Sequence, residues 1–226
     1  MSDSDSFITE VSEAVRRDRL FATMRRYGWI AIAVVLVLVA GAAINEFRKA
    51  QAEARAQALG DATLAALERD GSADRAAALA GIDTDGAEAA AVVAMLRAAE
   101  LVAADDPDAA GAVLDGLATD GEVAEIYRQL ASLKRLMLQT DTIPIEDRRL
   151  GFEALAVPGA PFRAVALEQL ALIEVEEGNT DVAIERLIAL IDDADATSGL
   201  RNRAAQLIVA LGGAEMLATG APNDTQ

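Results

Sequence analysis

The chain has 226 residues, of which 53% are hydrophobic but only 4% aromatic, with no His, no Cys and a formal net charge of −17. Without those two residue types there is no imidazole acid–base catalysis, no thiolate chemistry and no Cys/His zinc site. The acidic excess falls after residue 45, where 32 acidic side chains oppose 15 basic ones, and such a surface repels phosphate backbones and excludes nucleic acid as an expected partner. Much of the apolar content is Ala, the strongest helix former, which favours close-packed helices over sheets.

Residues 1–26 form a leader with helical spacing. Phe7, Val11 and Val15 recur at i, i+4, and Leu20 and Met24 repeat the rhythm. It reads as a short helix leading into the next segment, the alternative being a surface helix whose Arg residues contact anionic lipid or a cytosolic partner.

Residues 27–45 carry no charge over 19 positions, about 28 Å as a helix and close to the hydrocarbon thickness of a bilayer. Large aliphatics dominate it, and Ile32, Val35, Leu36, Val39 and Ile44 mark its lipid-facing surface, with Trp29 at the headgroup end. Inserting its nine Val, Leu and Ile residues gains about 3–5 kcal/mol. The expected element is a single transmembrane helix with lipid as its partner. Ala40-Gly41-Ala42 also fits a signal-peptide cleavage pattern, so a cleaved soluble form is the alternative. The long leader and long apolar run favour an uncleaved anchor. Arg16, Arg17, Arg19, Arg25 and Arg26 precede the span, and Arg48, Lys49 and Arg55 follow it. That bias directs the N-terminus to the cytoplasm. The acidic domain of residues 46–214 then lies in the periplasm, anchored at the inner membrane of a double-membrane bacterium.

Beyond the span, a charged helix continues to Asp70, where Gly71-Ser72 breaks it. Asp83-Thr84-Asp85-Gly86 reads as a turn and helix cap before a helix ending at Asp105-Asp106. Pro107 opens a helix over 107–118, and Asp120-Gly121 opens a longer one to Gln139. After a loop through Pro144, helices are predicted at 146–155, 161–177, 180–194 and 198–211, with a disordered tail over 215–226. The fold class is all-α, an α-solenoid of antiparallel helix pairs.

One stretch shows a repeat. Leu167, Leu170 and Ala171 begin a helix, Gly178 ends it, and Ala183 and Leu187 follow in the next. These match the tetratricopeptide pattern of apolar, small, Gly and small positions. Ala171 and Ala183 allow two helices to cross closely, and Gly178 permits a left-handed turn. A weaker copy lies 73 residues earlier, with Ala98, Ala110 and Leu114 as counterparts and Asp105 in place of Gly178.

The strings RRDRLFATMRRYGW, EFRKAQ, PGAPFRAVALEQLALIEVEEGN and GLRNRAAQLIVALGG, in this order around one span, resemble the membrane-anchored tetratricopeptide-like proteins of proteobacteria. The likeness is to the family of the ancillary subunit of the Sec translocon (YfgM type), in its alphaproteobacterial branch. That resemblance implies a non-catalytic adaptor whose partners are the translocon, a membrane-anchored periplasmic chaperone and exported clients. A related role is coordination of envelope growth with division. It also implies that one helix of each pair lines a groove. Carried over residue by residue, the groove positions are Met95, Ala99 and Val102 in the first copy and Glu168, Leu172, Val175 and Glu176 in the second. Such a groove is apolar with an acidic edge, suited to a hydrophobic or basic segment.

No phosphate-binding, nucleophile-elbow or dinucleotide motif occurs. Glu174 and Glu177 share a helix face, and Asp192, Asp193 and Asp195 cluster at a helix end. Both groups read as solvated surfaces. No catalytic residue, metal site or cofactor is expected.

Overall fold

The computed structural model describes the backbone of residues 3–139 and 141–219, and their side chains except at 3–25, 27, 28, 31, 32, 218 and 219. All regular structure among these residues is helical. The chain divides into two units, Met1–Ala58 and Leu59–Gln226.

Helix α1, Asp3–Leu67, runs through the expected leader, the apolar stretch and the charged continuation. Among the described residues no helix is long and apolar enough to cross a membrane. The expected span includes Tyr27, Gly28, Ala31 and Ile32, whose side chains lie outside the described residues. Its other marked positions, Trp29, Val35, Leu36, Val39 and Ile44, are all exposed.

In the second unit follow α2 (Ser72–Ala80), α3 (Ala87–Ala103), α4 (Pro107–Thr119), α5 (Glu125–Leu138), α6 (Ile145–Leu155), α7 (Arg163–Glu176), α8 (Thr180–Ile191), α9 (Ser198–Ala210) and α10 (Ala214–Thr219). From α2 onward each helix packs on the next, and α3 also meets α5 as α7 meets α9. The core is divided accordingly. One cluster joins Ala66, Leu79 and Val93. The next centres on Ala98, Ala110, Leu114 and Ala131. A third holds Leu136, Phe152 and Leu170, and the last Ala171, Leu187, Leu200 and Ala204. Every cluster is built from neighbouring helices, as in a stacked helical array.

The turns repeat as well as the helices. Between α3 and α4, Asp105 takes a left-handed φ of 61°, and the N–H groups of Asp105 and Asp106 donate to the carbonyls of Val102 and Leu101 at 3.0 Å each. Between α7 and α8, Gly178 has φ of 82°. There Gly178 and Asn179 donate to Val175 and Glu174 at 3.0 and 2.8 Å. The turn from α9 to α10 uses Gly212, φ 87°, with Gly212 and Gly213 donating to Val209 and Ile208 at 3.1 and 2.9 Å. All three close the helix end with the same two backbone bonds. The 73-residue register also runs further than the two quoted copies. Leu117 and Leu190, Val123 and Ala196, and Ala131 and Ala204 are buried counterparts.

Two helix ends differ from the sequence reading for one reason. Helix α5 starts at Glu125 rather than after Gly121, and α8 stops at Ile191 rather than 194. Asp120 accepts a hydrogen bond from the N–H of Glu122, and Asp193 from that of Asp195, both at 2.9 Å. An Asp side chain bonded two residues ahead offers the backbone a turn in place of a helix. Five residues of the expected tail belong to α10, whose Leu217 packs on the last core cluster. Residues 220–226 lie outside the described ones.

Candidate binding groove

Helix α3 places Met95, Ala99 and Val102 on one face, at i, i+4 and i+7. Helix α5 sets Leu130, Leu133, Lys134 and Met137 opposite, and Leu114 of α4 lies between them. With Ala98 and Leu138 they enclose a hollow of about 400 Å³. The small side chains of Ala98 and Ala99 leave room that a Leu would fill. Val102 and Met137 are each 44% exposed, so the hollow opens to water. Lys134 is exposed, and makes no ion pair or hydrogen bond among the described residues.

The first-copy positions therefore come together around one space. The second-copy positions do not. Glu168, at the place of Met95, is only 2% exposed. Arg203, at the place of Leu130, donates from Nε and Nη2 to its two carboxylate oxygens at 2.5 and 2.6 Å. This forked pair raises the Arg203 pKa, against the opposing effect of burial. Leu172 and Val175 are half-buried. Glu176 keeps a side chain 51% exposed, but it holds the buried Arg148 at 2.6 and 2.7 Å. The expected acidic edge is thus occupied by the chain's own guanidinium groups.

Within the two acidic groups read as solvated surfaces, Glu174 and Asp193 join helices, while Asp192 and Asp195 are exposed. Glu174 is buried and meets Arg149 at 3.0 Å, Arg186 at 3.2 Å and Asn179 at 3.1 Å. Glu177 takes the other end of Arg149 at 2.5 Å. The Asn179 hydrogen bond and then the Arg149 one hold the Glu174 carboxyl below its usual range, although burial acts the other way. The bond to Glu177 is the largest cause of a raised Arg149 pKa. Asp193 is lowered first by the backbone N–H of Asp195 and next by Arg163, which lies 2.6 Å away. Carboxylates held ionised by fixed donors are poor proton carriers near neutral pH. Before α3, Gly86 itself stands at the cap, with φ 105° and no side-chain cap bond. No cluster of acidic residues suited to a metal occurs among the described residues.

Sequence reasoning missed the α5 wall, because α5 and α6 lack the repeat signature. Two signals were present: the stripe Ile126, Leu130, Met137 on one helix face, and Ala131 standing 73 residues before Ala204. The Arg residues at 148, 149, 163 and 203 carried no such signal, since their hydrogen-bonded carboxylates lie 25 to 35 residues away. No family model matches the chain, and no curated protein or solved structure is significantly similar to it.

Proposed function

We propose that this chain is a non-catalytic protein-binding adaptor of the tetratricopeptide-like kind, held in the inner membrane by residues 27–45 with its acidic helical domain in the periplasm. In this reading it is ancillary to the Sec translocon and links it to a membrane-anchored chaperone or to exported clients. The observation that carries the proposal is the open apolar groove of Met95, Ala99, Val102, Leu130 and Met137. Exposed apolar side chains from Val34 to Val39 on α1 support the anchor. Anchoring raises the effective concentration of the groove beside the translocon, so modest affinity suffices.

Affinity purification of the full chain in mild detergent, combined with protease digestion of spheroplasts, tests this. Translocon or chaperone subunits should co-purify, and the domain should be cut from outside. A protected domain with no envelope partner would overturn the reading. The Ala40-Gly41-Ala42 triplet favours a second one, a cleaved soluble periplasmic adaptor in envelope assembly or division. Mass spectrometry of the mature N-terminus separates the two, since the cleaved form lacks residues 1–42.

A further inference from the structure

The two 73-residue copies differ on the groove face, where Ala99 also becomes Leu172, and the difference determines which groove is open. Counterparts in the buried core stay apolar: Ala98 and Ala171, Ala110 and Ala183, Leu114 and Leu187, Ala131 and Ala204. On the groove face, Met95 and Leu130 become Glu168 and Arg203, and that pair spans from α7 to α9. Lys134 becomes Leu207. The second groove is bridged by its own side chains, and among the described residues no ion pair or hydrogen bond bridges the first.

We infer, on the basis of the adaptor reading above, that the α3–α5 groove receives an apolar helical segment bearing one carboxylate, which pairs with Lys134, while the α7–α9 groove is kept shut by Glu168 and Arg203. Two facing helices leave a trough that suits the apolar face of an amphipathic helix, with anchors at i, i+4 and i+7. Val92 and Ile126, both exposed, stand three and four positions before Met95 and Leu130 and so share their helix faces by spacing. Met95 and Met137 are two of the five methionines in the chain, and both line this hollow. Unbranched thioethers adapt to varied apolar surfaces, so the trough tolerates different side chains.

Charge then selects among apolar guests. A segment seated over the trough removes water from the Lys134 ammonium. A carboxylate at that point offsets the loss, a neutral side chain leaves the cation without a partner, and a Lys or Arg meets like charge. A densely acidic guest is disfavoured, because the chain as a whole carries −17. One well-placed acid on an otherwise apolar face satisfies both conditions. Of the hydrophobic or basic guest that the sequence suggests, this keeps the hydrophobic character and drops the basic one, because the supposed acidic edge is already neutralised by Arg203 and Arg148.

The test uses the full chain in detergent, with protein-free micelles as the baseline. The probe is a fluorescent synthetic helix with Leu at i, i+4 and i+7 and one Glu beside them, compared with Glu-to-Gln and Glu-to-Lys versions. The Glu probe should bind about tenfold more tightly than the Gln probe, and the Lys probe more weakly still. Lys134→Ala should erase the Glu preference. Met95→Glu with Leu130→Arg, which installs the ion pair of the other copy, should abolish binding at unchanged helicity and Tm. Ala99→Trp, an exposed position, fills the same trough and serves if that double variant unfolds. Unchanged binding in the filled-groove variants, or a Glu preference that survives Lys134→Ala, overturns the inference. So does a parent chain that binds none of the three probes; co-purification with the translocon would then still stand, through another face.

Discussion

Gly178 and Gly151 limit substitution for different reasons. Gly178 holds φ at 82°, with open space where a Cβ would stand. Gly178→Ala therefore adds only backbone strain, about 1 kcal/mol of stability lost. Gly151 is helical, and a Cβ there would lie 2.6 Å from Cδ1 of Leu136. Gly151→Ala overpacks the contact between α6 and α5, at about 1–3 kcal/mol. Urea melts of the two variants should show both losses, the larger one at Gly151. Acid acts on the ionised carboxylates in a definite direction. Glu174 and Asp193 titrate below their ordinary values of 4.5 and 3.8, so each binds fewer protons folded than unfolded. Their contribution is complete above those ordinary values and is lost as the pH falls through the lowered ones. Glu174→Gln should be destabilised at neutral pH, and its deficit relative to the parent should shrink below about pH 4.5. A deficit constant with pH would assign it to packing instead.

At the level of helices and turns, legibility followed local chemistry. Pro107 marked the start of α4, while Asp106, read as the end of the preceding helix, caps the N–H of Ala109. The ends of α5 and α8 were misplaced because the competing Asp turn is invisible to apolar periodicity. The repeat positions carried by Ala, Leu and Gly were readable, since close helix crossing demands small residues at fixed spacing. Glu168 and Arg203 were not: 35 residues apart, each is an ordinary charged residue until α7 and α9 stand side by side. Their pair yields a prediction at this scale. Arg203→Ala leaves a buried carboxylate short of its partner and should cost about 1–3 kcal/mol, moderated because Arg203 is itself half-exposed. Glu168→Met with Arg203→Leu removes both charges and should recover most of that loss. A double-mutant cycle in thermal or urea melts measures the coupling, and additive losses would mean that the two residues act separately.

Over the whole molecule, successive core clusters and recurring turns make the second unit an array in which each helix depends chiefly on its neighbours. Such an array can vary the surface of one copy without disturbing the next. That independence allows one groove to stay open while its counterpart closes around an ion pair. In the proposed reading, the acidic surface keeps the domain soluble beside the bilayer that holds the 19 uncharged residues before it. The most direct measurement places a photo-crosslinking residue at Val102 in the open groove, or at its counterpart Val175, in living cells. Val102 should yield envelope-protein adducts, and Val175 few or none. Equal adducts at both positions, or none at Val102, would contradict it.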